Sequence, residues 1–438
     1  MFLYRVADSV MVGRLGVEAL AGIAFGTMYA TVHEMLIWPV ALGVQAVVSR
    51  RMGRRMTGSI VDTGAMLPQG FYAGLIAGGT ALVLASLAPF FLPILAPSTA
   101  VGSALGYVRI SMWAFPLMGL ASGSRGFLAG IGRTRIVMVA VVTSNALNVF
   151  FNWVFIFGMF GAPALGVRGA AVGTVIAHGA SFLIQGSYSV YARSVRSGHG
   201  STASRRPDRF VIRRIISIGL PPAIQNASAM LVMLLFQGIV GTIGAMYVAV
   251  THVLFATFRI KKTLVGGFAG GASILVGNYL GAGRPGDARE VIRVQMKIGA
   301  MIGGVLLLVI AGAAPAVGRL YSLDGFALDL AILGLRVLAP FYLVEIIGYS
   351  LEIIFTHNGW GRYVLVSEFI TNMVGILGIP TVLVIVYGFG IGGAWVGYVT
   401  YQILHATILV LGFRSGGWQH VEVDPDPLPA DATTPEVH

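Results

Sequence analysis

Asp8, Glu34, Glu345, Glu352 and Glu368 are acids set inside apolar runs, and His33, Arg259, Lys261 and Lys262 are bases set the same way. A carboxylate in hydrocarbon is costly unless it is paired or hydrated. One that is ionised when open to water and neutral when turned inward carries a proton across, and a cation can serve the same end. Glu345 and Glu352 are seven residues apart and share a helix face. Other chemistry lacks its residues. There is no Cys, so thiolate metal sites and disulfides are excluded. The chain has no H-E-x-x-H, no phosphate-binding P-loop and no clustered metal ligands, as a membrane-embedded hydrolase would require. The motifs of an enzyme and the ligands of a bound cofactor are thus not found in the sequence.

The elements that carry these residues are membrane spans. The chain is 56% hydrophobic and 11% charged, against roughly 45–50% and 25% in soluble domains, and its mean hydropathy is +0.83. Apolar runs of about 20 residues recur, long enough to cross hydrocarbon. The 60 Gly and 18 Pro break them more often than a water-soluble helix tolerates. The pattern predicts helices over 1–13, 18–50, 63–89, 102–128, 134–158, 168–194, 211–239, 245–280, 291–317, 329–356, 361–387 and 390–413.

Alternate loops are rich in Arg (Arg50 to Arg55, Arg133 and Arg135, Arg193 to Arg214, Arg284 to Lys297, Arg362, Arg414), while 89–101, 240–246 and 387–390 hold no basic residue. By the positive-inside rule the basic set is cytoplasmic. The net charge of +12 therefore reflects topology, and no nucleic-acid partner is implied.

The second half repeats the first. Val12-Gly13-x-Leu15-Gly16 returns as Val240-Gly241-x-Ile243-Gly244, an offset of 228, and Gly169-Ala170-x-Val172-Gly173 returns as Gly393-Ala394-x-Val396-Gly397, an offset of 224. A duplicated multi-helix unit in an apolar chain is how many secondary transporters are built. The expected fold is an all-α polytopic membrane protein of twelve helices in two pseudo-symmetric six-helix lobes. They cover 1–194 and 210–414, with a Gly/Ser-rich cytoplasmic linker at 195–209 and a disordered, acidic, Pro-rich tail at 415–438. Mapping the second copy onto the first leaves about 18 residues of helix one ahead of Met1. A remnant of about 13 residues rises only about 20 Å, so helix one is expected to be truncated.

Depth links several polar residues. Asp8, Asn152 and Thr174 each lie five or six residues below the outer end of their helices, roughly 8–9 Å beneath the boundary. Asn and Thr can hydrogen-bond a carboxyl in either state. The group could carry the coupling ion, or Asp8 could merely cap helix packing in a wet vestibule. At the 228 offset, His33 and Glu34 map onto Lys261 and Lys262, with Arg259 a turn away. These could pair across a central cleft as a gate or face cavity water separately. Glu345, near mid-span, is a second coupling candidate.

The chain resembles the multidrug and toxic compound extrusion family. The carriers are Val6-Ala7-Asp8-Ser9-Val10-Met11-Val12-Gly13-Arg14-Leu15-Gly16 and Glu18-Ala19-Leu20-Ala21, with Ile218-Gly219-Leu220-Pro221 and Ile274-Leu275-Val276-Gly277-Asn278-Tyr279-Leu280-Gly281-Ala282-Gly283 in the second half. The resemblance implies export of organic or lipophilic compounds (multidrug efflux) in exchange for H⁺ or Na⁺, by a monomer in the bacterial cytoplasmic membrane. Within the family the chain looks closest to the DinF-like branch, which implies that Asp8, Asn148 and Thr174 form the cation-coupling group. Asn152 stands where relatives often carry a second Asp. After Pro221-Pro222 the seventh helix offers only Gln225 and Asn226, unlike the NorM-like branch with its acid there. Basic residues at 259, 261 and 262 keep a second function open, a flippase for a lipid-linked saccharide precursor.

Overall fold

A computed structural model describes residues 11–59, 61–196, 206–321 and 323–424. Among them the long elements are all helices. They are α1 Val17–Glu34, α2 Trp38–Met56, α3 Met66–Ala85, α4 Ala88–Leu95, α5 Ser98–Ser111, α6 Ala114–Gly130, α7 Thr134–Phe157 and α8 Val167–Arg196. There follow α9 Arg209–Gly241, α10 Ala245–Gly281, α11 Pro285–Leu320, α12 Gly325–His357, α13 Gly361–Thr371 and α14 Gly390–Ser415. Ten spans are long and apolar enough to cross a membrane, or eleven if α5 and α6 form one. The chain is a multi-pass membrane protein. The helix expected over 1–13 lies largely outside the described residues.

Prolines explain where single expected helices appear as two. The helix expected over 102–128 is α5 and α6, bent by 46°. Pro116 sits in the first turn of α6 and has no N–H to offer residue 112. In the same way Pro39 opens α2 after the turn that ends α1. The stretch 89–101, expected as a bare outer loop, contains α4. Its Phe90, Phe91, Ile94 and Leu95 are exposed, as suits a short helix in an apolar interface.

The described residues divide into two compact units, falling within Met1–Ala223 plus Val423–His438 and within Ile224–Glu422. The sequence pattern sets the boundary at 195–209. In the structure the first half of α9 belongs to unit 1, because it packs backbone to backbone on α2. A Cβ on Gly43 would stand 2.1 Å from the Ile215 carbonyl oxygen, and one on Gly219 would stand 2.2 Å from that of Pro39. Unit 1 closes α3 on α6 by the same means: a Cβ on Gly74 would meet the Gly119 carbonyl oxygen at 2.1 Å. In hydrocarbon no hydrophobic drive joins helices, so close packing between small residues does that work.

Unit 2 is held by an aromatic core of Phe236, Phe258, Tyr342 and Tyr398 from α9, α10, α12 and α14. Beyond Thr371, α13 continues as wide π-helical turns, Asn372–Gly378 and Thr381–Val386, on either side of Pro380. Pro380 has no N–H for residue 376, and the wider turns absorb the missing bond. They also press α13 on α14, where a Cβ on Gly397 would lie 2.3 Å from Pro380 Cγ.

The expectation of a disordered tail from 415 is corrected for its first ten residues. Gly416 turns the chain at φ 77°, and Trp418 is buried against Phe355 and Phe413. Its indole N–H donates to the Phe413 carbonyl at 3.2 Å. Asp424, in unit 1, is 4% exposed and accepts from Arg51 Nη2 at 3.1 Å and Arg54 Nη2 at 3.2 Å. Arg214 Nε donates to the Val423 carbonyl. A tryptophan and a paired carboxylate hold what composition alone assigns to disorder. Removing one partner of a buried pair strands the other, so Asp424→Ala is expected to destabilise unit 1 by about 3 kcal/mol. A lowered unfolding temperature of the purified protein in detergent checks this.

Candidate functional site

In unit 1, glycines set α7 and α8 close enough for their polar side chains to meet. A Cβ on Gly169 would lie 2.4 Å from the Phe155 backbone, and one on Gly173 would lie 2.1 Å from Asn152 Oδ1. Across this contact runs a buried chain of hydrogen bonds. Asn152 Nδ2 donates to Asn148 Oδ1 at 3.2 Å, and Asn148 Nδ2 donates to Thr174 Oγ1 at 3.4 Å. Thr174 Oγ1 in turn donates to the Ala170 carbonyl at 2.9 Å. All three side chains are buried. Beside Asn148 lies a cavity of about 30 Å³, lined by Arg125, Ser144, Asn145, His178 and Ser181 among others, room for a water molecule. The structure thus brings Asn148, Asn152 and Thr174 together. Asp8 lies outside the described residues.

His33 and Glu34 stand at the end of α1. His33 is buried, its Nδ1 lies 2.8 Å from the Tyr29 carbonyl, and its ring stacks on Phe115 at 6.2 Å. A carbonyl only accepts, so Nδ1 carries the hydrogen. Glu34 is half-buried. Arg259 is exposed on α10. The Lys261 side chain lies outside the described residues.

Unit 2 gathers the denser set of charges. Lys262 Nζ of α10 meets Glu345 Oε1 of α12 at 2.7 Å and sits 5.2 Å from the centre of the Tyr349 ring. Glu345 is 5% exposed, whereas 36% of the Lys262 side chain stays open. The face that Glu345 shares with Glu352 continues through Tyr349. At its far end Gln225 of α9 donates from Nε2 to Glu352 Oε1 at 2.7 Å and to Glu368 Oε2 of α13. One amide therefore bridges carboxylates from two helices. Lys262 is also within electrostatic reach of Glu352 and Glu368. Asn372, at the start of the wide turns, bonds Glu368. Tyr398, Tyr401 and His405 form a buried stripe on α14.

The charge count of this group decides its chemistry. Among the described residues, Glu345, Glu352 and Glu368 stand against Lys262, and buried charge needs compensation. One carboxylate is met by the ammonium; the remaining pair, held by Gln225, calls for a proton or a small cation. The sequence pattern singles out Glu345 and Lys262 but gives Gln225, Glu352 and Glu368 no common role. Gln225 is one of several polar residues on α9, with Asn226, Ser228 and Gln237, and only the fold shows that the acids come to it from α12 and α13.

The unit 1 contact yields a direct test. Gly173→Ala puts a methyl on Asn152 Oδ1 and is expected to cost about 1–3 kcal/mol, as overpacking does. Adding Asn152→Ala should recover most of that loss in thermal unfolding of the purified protein. Without recovery, the clash lies with backbone and not with the amide.

A family model described as MatE matches residues 1–154 and 221–381. The chain is 23% identical over 433 residues to the probable multidrug resistance protein NorM of Thermotoga maritima, covering 95% of this chain and 89% of that protein. It is 25% identical over 424 residues to the multidrug resistance protein MdtK of Edwardsiella ictaluri, covering 93% and 90%. A crystal structure of MATE in a bent conformation superposes with a TM-score of 0.84 at 22% identity, over 94% of this chain and 90% of that one. With the model matching well over half its length, in two segments that share the internal repeat, the chain belongs to the MatE family, a family of transporters.

Proposed function

We propose that this protein is a secondary antiporter that exports small amphiphilic, organic or lipophilic compounds in exchange for H⁺ or Na⁺ by alternating access. Its place is the bacterial cytoplasmic membrane. The observation that carries the reading is the bridging of Glu352 and Glu368 by Gln225, in membrane-spanning helices with one lysine for three acids among the described residues of the group. Such a group gains a cation or proton when open to the outside and must lose it when open to the cytoplasm, which is what exchange requires. The names of the relatives, both multidrug resistance proteins, support drugs as cargo. Asp8 with Asn148, Asn152 and Thr174 is the corresponding proposal for unit 1. The two sites divide the work of coupling, and Lys262 holds Glu345 in place beside the second.

Efflux of a fluorescent cationic dye from a pump-deficient host tests both. Glu352→Gln combined with Glu368→Gln is expected to abolish dye efflux driven by an inward H⁺ or Na⁺ gradient while leaving membrane insertion intact. Dye exchange down its own gradient should persist. Asp8→Asn is expected to abolish driven efflux likewise. Undiminished driven efflux in the double glutamine variant would remove coupling from unit 2, and in Asp8→Asn would remove it from unit 1.

A further inference from the structure

The cytoplasmic end of unit 2 holds a basic pocket whose lining includes none of Glu345, Glu352 and Glu368. Arg289 and Arg293 lie four residues apart on α11 and so share a face, and Arg414 ends α14. With Met296, Val410 and Phe413 they line a pocket of about 370 Å³, and among the described residues no acidic side chain lines it. The Arg289 guanidinium is held 5.9 Å from the centre of the Phe413 ring, and its buried Nε has no hydrogen-bond acceptor among the described residues. Arg293 touches Glu290 at 3.2 Å, but both side chains are more than half exposed, at 53% and 56%. An exposed pair of this kind is weak.

Polarity is graded along the pocket. Met296 is seven residues further into the span than Arg289, and Val410 is four residues further in than Arg414. These intervals correspond to about 10 Å and 6 Å of helix rise. Cations thus mark the mouth and apolar side chains the deeper wall. Helix ends explain only part of this: Arg414 complements the carbonyl end of α14, yet Arg289 and Arg293 stand near the start of α11, where the helix favours anions. The duplicated fold does not require them either. At the offsets of 228 and 224 the first copy has Val61, Ala65 and Val190.

We propose that this pocket binds the phosphate of an anionic phospholipid from the cytoplasmic leaflet, the guanidiniums taking the headgroup and Met296 and Val410 the first part of the acyl chains. Guanidinium forks match phosphate oxygens, and basic pockets between spans on the cytoplasmic side suit such lipids. The shared chemistry is a phosphate anion, so the test separates a lipid from free phosphate.

The full chain, purified in detergent, is titrated with phosphatidylglycerol and with phosphatidylcholine, and retained lipid is counted by native mass spectrometry. Phosphatidylglycerol should bind in preference. Arg289→Gln with Arg414→Gln should weaken its retention about tenfold or more, at roughly 1 kcal/mol per arginine. Arg319→Gln, at the opposite end of α11, should leave it unchanged. Inorganic phosphate at millimolar concentration should fail to displace the lipid. Equal retention in wild type and double variant, an equal loss with Arg319→Gln, or displacement by inorganic phosphate would each overturn the assignment. Monodisperse elution of the double variant shows that it is folded, and Arg289→Lys with Arg414→Lys should recover part of the binding.

Discussion

Charge in hydrocarbon has to be compensated, and unit 2 is organised around that requirement. Three carboxylates from α12 and α13 meet one ammonium from α10 and one amide from α9. Full ionisation would leave these described groups with excess negative charge, and the proposed exchange assigns a proton or cation to offset it. Four helices must be aligned for these groups to meet. The aromatic core of α9, α10, α12 and α14 and the wide turns of α13 supply that alignment. Wide π-type turns recur at functional positions, and here they start one turn after Glu368, at the Asn372 that bonds it.

Unit 1 answers the same requirement without a described acid in its polar chain. Asn148 donates to Thr174, Asn152 donates to Asn148, and Thr174 donates to the Ala170 carbonyl; amides and hydroxyls of this kind can bond a neutral or charged partner. Their meeting depends on Gly169 and Gly173, just as the frame of the unit depends on Gly43, Gly74 and Gly219. A side chain at any of these glycines would meet a neighbouring helix at under 3 Å, and at Gly173 it would meet the Asn152 amide itself.

Much of this was legible in the sequence, for physical reasons that differ by feature. Spans were readable because hydrocarbon allows few structures and marks them by length and hydropathy. The meeting of Asn148, Asn152 and Thr174 followed from common depth and from the family pattern. Single-residue effects were harder to read. Pro116 splits an apparently continuous apolar run, and Trp418 with Asp424 anchors a segment whose composition suggests disorder. Gln225 carried no signal of its own, because an amide becomes informative only when the acids of other helices reach it. His33 read as a candidate gate, and the structure shows its ring packed on Phe115 and bonded to backbone.

The most direct measurement is infrared difference spectroscopy of the purified protein as pH is lowered or Na⁺ is added. The account predicts a carboxyl or carboxylate change in the wild type that disappears when Glu352 and Glu368 are both changed to Gln. An unchanged difference spectrum in that double variant would contradict it, since the ion would then be taken up elsewhere.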